Sequence, residues 1–138
     1  PDADVTRFFA VATQANPDRQ CGALKPWQGV LCADSGHIHV HETGSIEATG
    51  HKCLALPGKN GKITARQIRK AVEEHRANAS HEHEVQPGMV YISHPTEYGS
   101  LYTLSEVEAI RAVCNTYGLP LYIDGARLGY ALAAKETN

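Results

Sequence analysis

Two capping boxes, each opening a helical stretch that leads into a short apolar run, constrain this chain more than any other feature. In Thr64-Ala65-Arg66-Gln67 the threonine hydroxyl can cap a free amide while the glutamine reaches back to the threonine N–H. Ile63 and Ile68 flank that box as a hydrophobic staple, and Ile68, Ala71 and Val72 continue at helical spacing towards about Ala79. Thr103-Leu104-Ser105-Glu106 repeats the device, with Tyr102 and Val107 as its staple. Val107, Ile110 and Val113 keep the helical period, and Gly118 supplies a stop. Short apolar or β-branched runs at residues 5–11, 30–33, 53–56, 89–92 and 121–123 read as strands covered on both faces. Gly58-Lys59-Asn60-Gly61 is a turn, and residues 78–87, with His81-Glu82-His83-Glu84, read as a polar surface connection. Strand, helix and strand at this spacing make βαβ units, so the predicted fold is α/β: three layers, α/β/α, around a mostly parallel sheet.

The 138 residues suit one contiguous core, and with no repeat or linker in view residues 1–138 are read as a single domain. A formal net charge of -2 gives no electrostatic reason to expect nucleic acid or an anionic membrane as partner. No apolar run approaches the ~20 residues a membrane-spanning helix needs, and Pro1-Asp2-Ala3-Asp4 carries no secretory signature. Cys21, Cys32, Cys53 and Cys114 form no CxxC pair, and the last three sit in apolar stretches. Buried free thiols in a reducing compartment, the cytoplasm, are the simplest account.

In open α/β sheets reactive groups gather beyond the carboxyl ends of the strands. Polar clusters follow the expected strands at Thr13-Gln14, Ser35-Gly36-His37, His94-Pro95-Thr96 and Asp124-Gly125-Ala126-Arg127, which implies one pocket. Asp124 closes an apolar strand, where a carboxylate needs a cationic partner. That partner is either Arg127, in a purely structural salt bridge, or a protonated ring nitrogen, with Arg127 holding another anion. His37-Ile38-His39-Val40-His41-Glu42 admits three readings. On a strand, His37, His39 and His41 share a face and could converge on zinc, with Glu42 and His51 as further ligands. On a helical turn begun by Ser35-Gly36, only His37 and His41 share a face, and His37 could lie flat on an aromatic cofactor. Solvated or core histidines are the third. Thr13 at a helix start could contact phosphate, though a plain N-cap uses the same residue types. The Gly-rich nucleotide signatures of NAD and ATP sites are absent.

Phe8 to Asn16, Gly36 to Lys52, Val90 to Tyr102 and Leu121 to Ala131 together resemble, in order, the low-specificity threonine aldolase and β-eliminating lyase family of fold-type I pyridoxal-phosphate enzymes. The resemblance implies the first part of that family's large domain, with pyridoxal 5'-phosphate (PLP) as cofactor. It implies that His37 stacks on the cofactor ring and assists proton transfer, and that Asp124 pairs with the pyridine nitrogen. Arg127 then binds the substrate carboxylate, Thr13 with neighbouring amides binds phosphate, and Thr96 lines the same pocket. The family commonly has glycine where Ala12 precedes Thr13, and asparagine is frequent at the position of His94. The cofactor-bearing lysine is expected beyond residue 138, since Lys135 follows Arg127 too closely and Lys25, Lys52, Lys59, Lys62 and Lys70 lie on earlier segments. The 138-residue piece alone is therefore expected to be inactive.

The activity so implied is cleavage of the Cα–Cβ bond of a β-hydroxy-α-amino acid, threonine giving glycine and acetaldehyde, by a homodimer or homotetramer. A PLP-dependent β-eliminating amino-acid lyase would use the same residues. A metal-dependent enzyme built on the histidine cluster and a non-catalytic fragment are the readings from other classes.

Overall fold

The computed structural model describes Gly22 and residues 24–134. The strand expected at residues 5–11, and Thr13 after it, lie outside the described residues. Within them the chain runs through β1 (Gln28–Ala33), α1 (His37–Val40), β2 (Cys53–Leu56), α2 (Ala65–Ala77), β3 (Gln86–Ser93), α3 (Leu104–Tyr117), β4 (Leu121–Asp124) and α4 (Leu128–Ala133). Single 3-10 turns at Glu47–Thr49 and His81–His83 punctuate the connections. All four strands are parallel, in the order β2-β1-β3-β4.

Both capping boxes form as expected. The amide of Gln67 donates to the Thr64 hydroxyl oxygen and the Thr64 N–H to the Gln67 side chain, at 3.3 and 2.9 Å. Thr103 and Glu106 exchange the equivalent pair at 3.2 and 2.8 Å. Glu106 also accepts two bonds from the Lys62 ammonium, at 2.8 and 2.9 Å, which hold its carboxyl below the usual range and tie the second box to the loop before α2. Gly118 ends α3 at φ +68°, a left-handed backbone that costs glycine no steric strain.

Helices α2 and α3 cover one face of the sheet. Ile68 and Val72 of α2 and Ile110, Val113 and Cys114 of α3 pack on Leu31, Val90 and Ile92. Each fully buried Ile or Val contributes about 1.5–3 kcal/mol of transfer free energy, so this interface dominates the core. On the other face Ile38 of α1 and Ile46 pack with Val30, Cys32, Cys53, Met89 and Tyr91. The connection from β1 to β2 therefore runs on the face opposite α2 and α3. Right-handed crossovers require this when the chain reverses its direction of travel across a sheet.

Two expectations need adjustment. Only β1 and β3 are buried along nearly their whole length, whereas β2 and β4 are partly exposed, because they flank the central pair in the described sheet. Strand β3 also starts three residues earlier than its apolar run, since Gln86 and Pro87 pair with Gln28 and Gly29 despite their polarity and missing donor.

The strand order carries the functional consequence. From β1 the chain turns towards β2, and from β3 it turns towards β4 on the opposite side. The carboxyl ends of β1 and β3 thus form the topological switch point, where α/β sheets open a crevice for ligands.

Candidate active site

His37 stands just beyond β1, Glu97 just beyond β3 and Asp124 at the end of β4. Ser93 and Asp124 are register partners in β3 and β4, as are Tyr91 and Tyr122. Alternation puts Tyr91, Ser93, Tyr122 and Asp124 on one face of the sheet, the face that carries α1. From one strand over, the Tyr91 hydroxyl donates to Asp124 Oδ2 at 2.6 Å. The Ala126 N–H donates to Oδ1 at 2.9 Å, so both carboxylate oxygens are fixed. Burial, followed by the adjacent Asp124, pushes the Tyr91 phenol far above its usual range and keeps it a neutral donor. The ring of Tyr122 stacks on that of Tyr91 at 5.6 Å and braces the pair.

The chain around His37 adopts the helical alternative: residues 37–40 form one turn after an extended Gly36. Its Nδ1 lies 2.8 Å from Oε1 of Glu42, a buried carboxylate (2% exposed) whose Oε2 has no hydrogen-bond partner among the described residues. A carboxylate oxygen accepts, so this contact favours the tautomer in which Nδ1 donates and Nε2 accepts. The imidazole is about one-third exposed, open to a ligand.

The strand reading of the histidine cluster is overturned by this turn. The rings of His37 and His41 lie 5.2 Å apart, whereas His39 approaches Glu47 and Cys53, with one ligand atom of each within 4.8 Å of the others. Three histidines do not converge on one point. The Asp124–Arg127 salt bridge is likewise replaced: Arg127 Nη2 donates to Glu97 Oε1 at 3.0 Å, because the turn after β4 carries the guanidinium over the end of β3.

Glu97 joins the parts. Its Oε1 accepts from the His37 N–H at 3.0 Å, the Ser93 hydroxyl at 2.7 Å and Arg127. The stretches that hold His37, Arg127 and Asp124 therefore meet at one end of the sheet. Thr96 is fully buried beside them, its hydroxyl donating to the Asn60 carbonyl and accepting from the Ser100 N–H at 3.0 and 3.1 Å. Gly61 backs it at φ +77°, where a Cβ would come within 2.8 Å of the Thr96 Cβ. The Thr96 hydroxyl thus links its own loop to the turn at Asn60, while the residue borders a cavity of about 280 Å³ with Pro95, Glu97, Arg127 and Tyr130. A second cavity, about 550 Å³, is lined by Ser35, His41, Glu97 and Tyr98, so Glu97 forms a wall of both.

Sequence reasoning located His37, Asp124 and Arg127 by the strand-end rule but not Glu97 or Tyr91, and it weighed Glu42 only as a metal ligand. The period-2 face shared by Tyr91, Ser93 and the strand end was the available signal for Tyr91. Glu97 directly follows the polar cluster His94-Pro95-Thr96.

The chain is similar to known proteins along nearly its whole length. Low-specificity L-threonine aldolase from a Pseudomonas species is 33% identical over 135 residues, and that from Pseudomonas aeruginosa 31%. These matches cover 96% of this chain, which spans 38% of each relative's length. Among solved structures, a threonine aldolase from Leishmania major superposes with a TM-score of 0.85 at 45% identity, covering 91% of this chain and 36% of that one. An L-allo-threonine aldolase assignment from Listeria monocytogenes gives a TM-score of 0.62 at 25% identity, covering 85% and 31%. The sequence model of the beta-eliminating lyase family matches residues 3–137. With a match of that extent, the chain belongs to the beta-eliminating lyase family.

Proposed function

We propose that the complete enzyme carrying this chain is a PLP-dependent lyase that cleaves the Cα–Cβ bond of a β-hydroxy-α-amino acid, converting threonine to glycine and acetaldehyde. The observation that carries this reading is the single carboxylate oxygen of Glu97, which ties the His37 backbone to the Arg127 guanidinium beside the end of β4. The threonine aldolase relatives favour the same substrate class.

The donor set fits the cofactor. A fixed carboxylate, an open imidazole and a guanidinium at one end of the sheet suit a ring with a cationic nitrogen, its flat face and a substrate carboxylate. When bound, PLP would supply an electron-withdrawing ring that takes up the electron pair released from the Cα–Cβ bond. Asp124, held by Tyr91 and Ala126, is assigned to the ring nitrogen. Arg127 presents a planar fork of N–H donors suited to a carboxylate, and by fixing that carboxylate it orients the bond to be broken. His37 is assigned to the cofactor face, and its Nε2, left accepting by Glu42, takes the β-hydroxyl proton. Thr13 is assigned to the phosphate and Thr96 to the pocket wall.

A homodimer or homotetramer in the cytoplasm completes the proposal, and the buried, unbridged Cys32, Cys53 and Cys114 fit a reducing compartment. The test is product analysis of the full-length protein with PLP and L-threonine. Glycine and acetaldehyde in equal amounts are expected, with turnover lost in Asp124→Ala. Ammonia and a 2-oxo acid as the main products would point to β-elimination, and no reaction with either outcome would reject the lyase reading.

A further inference from the structure

We propose that Glu97 is a positioning residue that fixes the substrate-carboxylate-binding guanidinium of Arg127 relative to His37. The proposal rests on the function assigned to Arg127 above. Glu97 is not an ordinary surface ion-pair partner. Its side chain is only 10% exposed, and one oxygen receives three donors from three separate places: the start of α1, the end of β3 and the first residue before α4. Those donors come from three separate elements, so the position of this one atom sets the spacing between the His37 backbone and the guanidinium.

Ordinary fold maintenance does not account for the carboxylate. Its Oε2 is enclosed without a hydrogen-bond partner among the described residues, a costly state for a buried charged group. A neutral glutamine of the same shape could accept from the His37 N–H and the Ser93 hydroxyl, with an amide NH2 in place of the unpartnered oxygen and no buried charge. The charge is needed by the third donor alone. Arg127 is over one-third exposed and long, and without an anionic anchor its guanidinium would sample many rotamers. Glu97 engages Nη2, and the guanidinium carries further N–H donors that suit a carboxylate. A nearby anion could in principle repel an incoming carboxylate. Here Oε1 already accepts three donors, one of them cationic, which lowers the negative field it presents.

The experiment uses the full-length, PLP-loaded enzyme and compares two ligands: glycine, which has a carboxylate, and methylamine, which has none. In Glu97→Gln the dissociation constant for glycine should rise by about tenfold or more, as expected for loss of one charge-assisted hydrogen bond. Methylamine binding should stay within twofold of wild type, and KM for threonine should rise more than kcat falls. Arg127→Ala should lose glycine affinity in the same selective way, and adding Glu97→Gln to it should cause little further loss. Should Glu97→Gln not fold, Glu97→Asp, which withdraws the charge by one methylene, is read by the same criteria. Unchanged or tighter glycine binding, or equal loss for both ligands, overturns the proposal. Retention of glycine affinity in Arg127→Ala instead overturns the assignment of Arg127 on which it rests.

Discussion

Replacing Glu42 with glutamine separates what the buried carboxylate does for the fold from what it does for His37. The side chain is almost wholly enclosed, Oε1 sits 2.8 Å from His37 Nδ1, and Oε2 has no partner among the described residues. Glutamine fills the same volume, so no cavity opens. It removes a buried charge but leaves an enclosed amide NH2 where Oε2 had no partner, an unsatisfied group that still costs about 1–3 kcal/mol. The two effects offset, and the fold is expected to be about as stable as wild type. Catalysis should fall. A hydrogen bond to an ionised acceptor contributes about 1.5–3 kcal/mol, and without it the imidazole is free to rotate or to switch tautomer. At about 1.4 kcal/mol per decade, kcat should fall by roughly 10- to 100-fold, with a smaller change in KM because the proposal assigns the substrate carboxylate to Arg127. The assay pairs thermal denaturation with steady-state cleavage of threonine by the full-length enzyme. A variant that melts near the wild-type temperature yet turns over slowly fits the reasoning. Wild-type kcat with an intact fold would refute the claim that Glu42 sets the working tautomer of His37.

Three further outcomes follow from the same contacts. Tyr91→Phe deletes the 2.6 Å bond to Asp124 without changing core volume; stability should drop by about 1–3 kcal/mol and PLP should bind more weakly, as read by denaturant titration and equilibrium dialysis. Thr96→Val leaves the Asn60 carbonyl and Ser100 amide without their shared hydroxyl and should lower stability by about 1–3 kcal/mol while threonine KM changes little. Burial lowers the pKa of His94, whose Nδ1 accepts from the Tyr102 N–H at 3.4 Å. The unfolded chain therefore binds this proton more readily, so the stability contribution is present above the unfolded value of about 6.5 and lost as pH falls through the lowered folded value. His94→Asn should flatten the acid limb of the stability–pH curve in that window, and an unchanged limb would contradict the linkage.

Much of the scaffold was legible because its signals are local. Thr64 with Gln67, Thr103 with Glu106, and Gly118 act within a few residues of themselves, so their hydrogen bonds can be read from spacing alone. The early start of β3 was not legible, since Gln86 and Pro87 join the sheet through the neighbouring strand and not through their own character. The site divides in the same way. His37 and Asp124 follow or close apolar strand runs, where the strand-end rule points, and Arg127 is three residues from Asp124. Glu97 meets His37 across 60 residues and Arg127 across 30. Tyr91 reaches Asp124 only because β3 and β4 pair in one register. Contacts of that kind depend on assembled strands, and no local motif announces them.

The pairing of Asp124 with the cofactor can be checked by equilibrium dialysis of PLP against the full-length enzyme and its Asp124→Ala variant. One PLP per chain is expected in the wild type, with affinity at least about tenfold weaker in the variant, the loss of a charge-assisted contact. Absence of specific binding to the wild type, or equal affinity in the two proteins, would contradict that pairing.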